Sequence, residues 1–269
     1  MSRRQTLLWV LLAASLGGCG VSTPSLEDDS MYVNEQRKSK GLVVILPGIE
    51  GPSHYNRGIR EGLYNAGVEY ALMIRPWGVP VPVAGMLVNQ TNFLGNRLAG
   101  AGVAQMVADY QQNYPGRPIY IIGHSGGGGV AVFTAESLAE SHGKKIEGLV
   151  LVAGSISKGY DLTKALAMTN KGLVNFYNPM DTAMLQEGCM VAGCVDGAHD
   201  EAAGLNGFTK RFKQLYQVHV PPADDQHGSG TRSPYVTEYM APWISAPQWP
   251  LAAGKDEKPK AVALTPTRS

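Results

Sequence analysis

The sequence predicts an α/β fold in which helices cover both faces of a doubly wound, mostly parallel sheet. The chain has 269 residues, of which 44% are hydrophobic and 17% charged, so one large core is available and disorder is not expected. Short runs rich in β-branched residues alternate with longer segments whose apolar residues recur at helical spacing. Because strands that alternate with helices connect through right-handed crossovers, this order indicates a parallel sheet.

The first two strands flank a helix. Residues 41–48 (GLVVILPG) are a nearly continuous β-branched run closed by Pro and Gly, which is typical of a strand buried on both faces. Residues 53–67 have apolar side chains at helical spacing between a Ser and a Gly, the usual ends of a helix. Residues 68–77 (VEYALMIRPW) predict the second strand. An apolar loop then extends to about Phe93, and a helix is predicted over 94–114.

Further strands and helices continue the alternation. The strands are predicted over residues 118–125 (PIYIIGHS), 146–157 (IEGLVLVAGSIS), within 172–181 (GLVNFYNPMD) and over 215–221 (LYQVHVP). The helices are predicted over residues 128–143 and 233–244, with a short helix or turn at 161–172.

The first 19 residues have the pattern of an export signal. Arg3 and Arg4 precede an apolar run of ten residues (7–16), which is too short to span a bilayer but fits the apolar region of a signal peptide. Residues 16–19 (LGGC) resemble the bacterial lipobox, in which the cysteine is lipidated and becomes the mature N-terminus. We therefore expect an exported lipoprotein of the cell envelope, anchored to a membrane through Cys19, with plain secretion as the alternative.

The rest of the chain divides into three parts. Residues 20–39 are polar without a sustained apolar period and predict a tether, whereas residues 40–245 form the predicted domain. Pro, Lys and small residues dominate residues 246–269, which predicts a disordered tail. The net charge is +1 and no cluster of Lys and Arg follows the first residues, so nucleic acid is not an expected partner. The oligomeric state is not predicted.

Two cysteines besides Cys19 lie close together in the sequence. Cys189 and Cys194 are separated by four residues, and disulfides persist in exported proteins, so a disulfide between them is predicted. Two free buried thiols are the alternative. No second Cys or His pair stands at ligand spacing, so a metal site is not expected.

The residues that indicate chemistry lie between the third strand and the following helix. Residues 123–127 (GHSGG) match G-x-S-x-G, the pattern of a sharp strand-to-helix turn that exposes a serine hydroxyl. Bulky side chains at Gly123 and Gly127 would collide in such a turn, and its backbone is strained. The helix N-terminus adds positive potential where an oxyanion would form. The pattern predicts Ser125 as a nucleophile.

The glycine-rich turn has two alternative interpretations besides a nucleophile. Residues 126–131 (GGGGVA) also satisfy a dinucleotide-binding pattern, with Glu147 as the ribose-binding acid. That pattern normally follows the first strand of its unit, whereas two strands come earlier here, and Glu147 begins a strand rather than ending one. A flexible glycine turn with an inert Ser125 is the other alternative.

The GHSGGG turn, the early LPGIEG loop and a late His ahead of PYVTEYMAPW resemble the α/β-hydrolase-fold esterases and lipases over about residues 41–244. The resemblance implies the fold and the nucleophile, but no particular substrate. It also implies an oxyanion hole formed by the N–H groups of Gly126 and Ile49. Pro47 stands where the family usually has His. Glu50 is a further departure, since a carboxylate facing the hole would repel the oxyanion, and we expect it to point away.

The same resemblance places an acid and then a His after the nucleophile. His227 lies in a glycine-rich loop between the last strand and the last helix, and is the predicted base, with His199 as the alternative. Asp181 follows the fifth strand and is the predicted acid, with Asp161 as the alternative. A serine hydroxyl needs such a base within hydrogen-bond reach, oriented by a third group.

These residues predict a serine hydrolase that cleaves small-molecule carboxylic esters without a metal or organic cofactor. Amide and thioester cleavage use the same groups, and a non-catalytic binding protein on a hydrolase scaffold is the alternative of another class. The connection 158–171 is short, and the apolar loop from Pro76 to Phe93 is a candidate wall for an acyl pocket. We therefore expect a preference for soluble short or medium esters.

Overall fold

A computed structural model describes residues 29–79 and 84–249. The predicted export signal, Cys19 and residues 250–269 of the predicted tail lie outside the described residues. Six strands form one sheet in the order β2-β1-β3-β4-β5-β6, and every neighbouring pair is parallel. Helices cover both faces, so the predicted fold class, an α/β-hydrolase fold, is confirmed.

The strands are β1 Leu42–Leu46, β2 Ala71–Ile74, β3 Ile119–His124, β4 Ile146–Val152, β5 Thr169–Tyr177 and β6 Leu215–His219. The α-helices are α1 Glu35–Lys38, α2 His54–Asn65, α3 Ala84–Thr91, α4 Phe93–Asn113, α5 Gly126–Glu140, α6 Thr163–Ala167, α7 Gly188–Ala192, α8 Ala203–Asn206, α9 Ser233–Tyr235 and α10 Ala241–Ser245. Short 3₁₀ turns lie at Asp29–Met31 and Ser229–Thr231, and π-helical turns at Thr182–Glu187 and Val236–Met240.

Strand β1 shows why the sheet is buried on both sides. All five of its residues are buried. Leu42, Val44 and Leu46 pack into the core formed with α4, α5 and α6. Val43 and Ile45 pack into the other core, formed with α2 and the carboxyl-terminal helices. Each such side chain contributes about 1.5–3 kcal/mol when removed from water, which explains the continuous apolar run.

Residues 29–39, the described part of the predicted tether, are folded against the domain. The Arg37 guanidinium donates to the carbonyl oxygens of Val68 at 2.9 Å and Tyr70 at 2.7 Å. The Tyr110 hydroxyl donates to the carbonyl of Lys38 at 2.6 Å. Sequence reasoning missed this segment because hydrogen bonds, rather than an apolar period, attach it to the domain.

The carboxyl-terminal boundary also differs from the prediction, which placed disorder from residue 246. Trp249 is buried, and its indole N–H donates to the carbonyl of Trp243 at 2.6 Å. Its ring packs edge-on against Trp243 and Tyr216. The domain therefore includes residues 246–249.

Three elements deviate in detail. Helix α3 occupies part of the segment predicted as an apolar loop, and β5 begins at Thr169 rather than near residue 172. The predicted last helix is divided into α9, a π-helical turn and α10. Pro242 lies at the start of α10, where its missing N–H removes a helical donor and accounts for the widened turn.

Among the described helices, none has the length and apolar character needed to cross a membrane.

Candidate active site

Ser125 forms the turn between β3 and α5 with φ 50° and ψ −123°. This positive φ is strained for a residue with a side chain, at a cost of about 1–3 kcal/mol. Hydrogen bonds hold the strained backbone: its N–H donates to Val152 at 3.0 Å, and its carbonyl accepts from Gly128 and Ser155, each at 2.9 Å. The turn is the one that the G-x-S-x-G pattern predicts.

Gly123 and Gly127 leave no room for a side chain. A Cβ on Gly123 would collide with the carbonyl oxygen of Gly127. A Cβ on Gly127 would collide with the carbonyl oxygens of Leu46 and Pro47. Because these obstacles are backbone atoms of buried elements, they cannot move aside. Both glycines therefore have the steric role predicted for them.

His227 and Asp181 form a buried pair. The imidazole Nδ1 lies 2.5 Å from the carboxylate Oδ2, and the side chains are only 8% and 2% exposed. Asp181 follows β5 and His227 follows β6, so both lie at the carboxyl edge of the sheet, as Ser125 does after β3. The His227 loop is fixed by Asn178, whose amide donates to the carbonyl of Gln226 at 2.8 Å.

Opposing effects set the pKa of His227. Burial alone lowers this pKa, because it disfavours the charged imidazolium. The hydrogen bond to Asp181 and the charge of its carboxylate raise it, and the charges of Glu50 and Asp225 add to them. Together these outweigh burial, so the pKa of His227 lies above its ordinary value. An imidazole in this position accepts a proton more readily than an ordinary histidine does.

The ring of His227 lies beside the residue that precedes Ser125. The ring centroids of His124 and His227 are 4.9 Å apart, and the Tyr55 ring is 4.8 Å from the ring of His124. His124 has no exposed surface, and burial holds its pKa well below the usual value. It is therefore neutral. Sequence reasoning missed Tyr55 at the site, because its helical spacing indicates only a core position.

The alternative base and the alternative acid are both exposed, in contrast to the buried pair of His227 and Asp181. His199 is exposed, and its Nδ1 lies 3.4 Å from the carbonyl oxygen of Met190. Asp161 is exposed and accepts hydrogen bonds from the backbone and hydroxyl of Thr163 at 2.9 and 2.6 Å. That arrangement is an ordinary turn at the start of a helix. The structure thus brings together His227 and Asp181, and neither alternative.

The side chain of Ile49 packs against Gly126. A Cβ added to Gly126 would lie 2.8 Å from Cγ2 of Ile49. Within residues 29–79 and 84–249, neither of their backbone N–H groups donates a hydrogen bond to the protein. The two N–H groups predicted to bind an oxyanion are therefore available as donors.

Glu50 turns towards helix α2. Its carboxylate accepts a hydrogen bond from the Ser53 hydroxyl at 3.0 Å and lies 4.0 Å from Nδ1 of His124. It also packs against Gly48, where a Cβ would collide with it. Burial raises the pKa of Glu50. Glu50 thus contacts the start of α2 and also lies near His124, and the expectation that it points away from the oxyanion hole stays a prediction.

Cys189 and Cys194 are free thiols in the structure, and both are buried. Their side chains hydrogen-bond each other, and the Ser155 hydroxyl lies 3.2 Å from the sulfur of Cys189. The hydrogen bond from Cys194 lowers the pKa of Cys189, while the same contact and burial raise that of Cys194. The disulfide between them stays a prediction. In the described part of the chain, no group of three or more His, Cys, Asp or Glu residues is arranged to hold a metal ion.

No protein-family model and no curated protein matches the sequence. Several solved structures are similar at low identity. The thioesterase RedJ of Streptomyces coelicolor, from prodiginine biosynthesis, is 13% identical with a TM-score of 0.43, over 75% of this chain and 85% of that one. Est1E of Butyrivibrio proteoclasticus is 15% identical with a TM-score of 0.43, over 78% and 90%. A serine hydrolase without a lid from Xanthomonas campestris is 13% identical with a TM-score of 0.41, over 77% and 84%. The assignment of this chain to the α/β-hydrolase fold rests on its own sheet order and on the turn at Ser125.

Proposed function

We propose that the protein is a serine hydrolase that cleaves carboxylic esters through an acyl-enzyme on Ser125. The observation that carries the proposal is the strained turn at Ser125, at the same sheet edge as the buried pair of His227 and Asp181. Strain at a residue with a side chain is retained where it serves a function, and a histidine oriented by a buried carboxylate is suited to activate a hydroxyl.

The proposed reaction has two halves. In the first, the Ser125 oxygen bonds to the ester carbonyl carbon while its proton passes to Nε2 of His227, giving a tetrahedral oxyanion. The intermediate collapses, and the imidazolium gives its proton to the departing alcohol. In the second half, water attacks the acyl-enzyme by the same route, and Ser125 leaves with the proton. Asp181 stabilises the imidazolium in both halves.

The oxyanion is proposed to accept hydrogen bonds from the N–H groups of Gly126 and Ile49. Each such donor is typically worth about 3–4 kcal/mol of transition-state stabilisation. Both lie in backbone that other parts of the fold hold in place, so they need little reorganisation as charge develops. The hydrogen bond from the Ser53 hydroxyl to Glu50, at 3.0 Å, is proposed to hold this carboxylate away from the developing charge.

The proposed substrates are short or medium soluble esters. Ile49, Trp77 and Val195 crowd Gly126, since a Cβ there would lie 2.8, 3.3 and 3.4 Å from their side chains. This apolar wall includes Trp77 from the segment that was expected to line an acyl pocket. Nitrophenyl esters of graded acyl length measure the preference. A sharp rise in rate at an oil–water interface, with little activity on dissolved esters, would contradict it.

A fluorophosphonate probe, which phosphonylates activated serines, tests the proposal directly. We expect the wild-type chain to be labelled on Ser125 and Ser125→Ala to remain unlabelled. A non-catalytic binding protein on this fold has no activated serine, so an unlabelled wild-type protein would favour that alternative. Parallel assays with amides and thioesters separate the ester preference from the wider activity of such sites.

A further inference from the structure

We propose that Trp77 and Asn89 are positioning residues that hold the N–H of Ile49 in place for the oxyanion. The inference rests on the proposed function and extends it to residues for which the sequence offers no motif. Both side chains come from the segment between β2 and α4, whereas the loop that they contact follows β1.

Trp77 fixes the peptide on one side of the donor. Its indole N–H donates to the carbonyl oxygen of Pro47 at 2.7 Å, and that oxygen belongs to the peptide joining Pro47 to Gly48. The same ring lies beside the second donor, since its Cζ2 would be 3.3 Å from a Cβ on Gly126. One half-buried side chain thus contacts both parts of the proposed oxyanion hole.

Asn89 fixes the peptide on the other side. Its amide N–H donates to the carbonyl oxygen of Ile49 at 2.9 Å, and that oxygen belongs to the peptide joining Ile49 to Glu50. Its own carbonyl accepts the N–H of Val79 at 2.7 Å. The side chain is only 6% exposed, so these bonds are protected from water. Asn89 therefore connects the loop after β1 to helix α3.

The peptide that carries the donor itself lies between these two. Its carbonyl, from Gly48, accepts the N–H of Gly51 at 3.0 Å. In a planar trans peptide the N–H points opposite to the carbonyl, so the N–H of Ile49 points away from Gly51. Gly48 has wide backbone freedom, and its neighbours on both sides must be restrained for this direction to persist. Trp77 and Asn89 supply the two restraints.

The experiment compares Trp77→Phe and Asn89→Ala with the wild-type chain on a soluble nitrophenyl ester. Removing an oxyanion donor outright typically lowers kcat about 10²–10³-fold, so a misdirected donor is expected to lower it about tenfold in both variants. KM should stay nearly unchanged in Asn89→Ala, whereas Trp77→Phe also alters the proposed acyl wall. A trifluoromethyl ketone, whose hemiketal with Ser125 carries an oxyanion, should lose affinity by the same factor as kcat/KM. Active-site titration with the fluorophosphonate probe normalises every rate to folded, reactive protein.

Trp249→Phe is the matched control. It removes an indole-to-carbonyl hydrogen bond of similar length, 2.6 Å, in the core beside the amino end of β4 and away from Ser125. We expect it to lower Tm while kcat and the affinity for the ketone stay unchanged. Unchanged kcat in Trp77→Phe and Asn89→Ala, or a lower kcat with unchanged affinity for the ketone, would overturn the positioning role. An active Ser125→Ala would instead overturn the proposed function on which it rests.

Discussion

At the scale of single residues, the site depends on a strained serine and on a buried acid–base pair. Ser125 has φ 50°, and hydrogen bonds from both sides hold it there. His227 and Asp181 are nearly inaccessible to water, so their 2.5 Å hydrogen bond is strong and directional. Each of these residues has a separate role in the proposed reaction, and substitutions test the roles one at a time.

Ser125→Ala and His227→Ala should each abolish nearly all turnover, and the double variant should lose little more, because the three residues act as a unit. Asp181→Asn should lower kcat by about 10⁴-fold, since the amide orients the imidazole in the wrong tautomer. Steady-state kinetics measure the losses. Asp161→Asn is the matched control and should keep the wild-type rate. A dead Asp161→Asn beside an active Asp181→Asn would reverse the assignment of the acid.

The raised pKa of His227 predicts the pH dependence of the reaction. The base must be neutral to accept a proton, so kcat/KM is expected to fall as the pH drops through this pKa, above the ordinary value of 6.5. Asp181→Asn removes the hydrogen bond and the charge that raise the pKa most. Its acid limb should therefore move to lower pH in a pH–rate profile. An unmoved limb would show that another group titrates.

Linkage gives a matching prediction for stability. Because the pKa of His227 is higher in the folded than in the unfolded chain, the pair stabilises the fold fully below about pH 6.5. This contribution is lost as the pH rises through the folded value. The free energy of unfolding should therefore differ more between the wild type and Asp181→Asn at pH 6 than at pH 9. Denaturant titrations at the two pH values measure the difference, and equal differences would contradict the shift.

At the scale of elements, the close approach of β1, β3 and α5 sets the geometry of the turn. The backbone of Gly127 lies against the carbonyl oxygens of Leu46 and Pro47, at the end of β1. This contact places the loop after β1, with Ile49, beside the first residue of α5. The proposed oxyanion hole is therefore a consequence of how two elements pack.

Gly127→Ala tests this close approach. The added methyl group meets backbone oxygens, so we expect a loss of about 1–3 kcal/mol in the free energy of unfolding together with a large loss of activity. Gly102→Ala in α4 is the control, because a Cβ there has open space around it. An alanine in a helix interior is expected to stabilise by about 0.5–1 kcal/mol without changing kcat. Equal effects of the two substitutions in thermal unfolding would contradict the packing argument.

At the scale of the whole molecule, the parallel sheet gathers residues that are far apart in the chain. The segments after β3, β5 and β6 meet at one edge, so His227 pairs with Asp181 and its ring lies 4.9 Å from that of His124, which precedes Ser125. Strand order and alternation along the chain predicted this arrangement, and the bounds of most elements were predicted to within a few residues. Residues 29–39 and 246–249 were not predicted to belong to the domain. Side-chain hydrogen bonds and a tryptophan cluster attach them to it, and no apolar period indicates these contacts.

Location is also a property of the whole chain, and it stays a prediction. Lipid on Cys19 would explain an apolar segment too short to span a bilayer, followed by polar residues before the domain. Two or three acyl chains are enough for stable anchoring, whereas one binds only marginally. We expect the protein to partition with membranes, and Cys19→Ser to release it or stall its processing while the domain stays active. Mass spectrometry of the mature N-terminus decides, since an unmodified terminus at or beyond Gly20 would mean secretion.

The sequence by itself determined the features that local patterns specify. Alternating buried strands and amphipathic helices predicted the sheet, and the glycines around Ser125 predicted the strained turn, because both depend on neighbouring residues. Only the tertiary structure decided that His227 pairs with Asp181 rather than Asp161. It also decided that Ile49 packs against Gly126, and that Trp77 and Asn89 contact the loop after β1. These contacts join residues 30 to 77 positions apart, from Pro47 and Trp77 to Ile49 and Gly126. Such distances follow from the packing of the whole sheet, which no local pattern records.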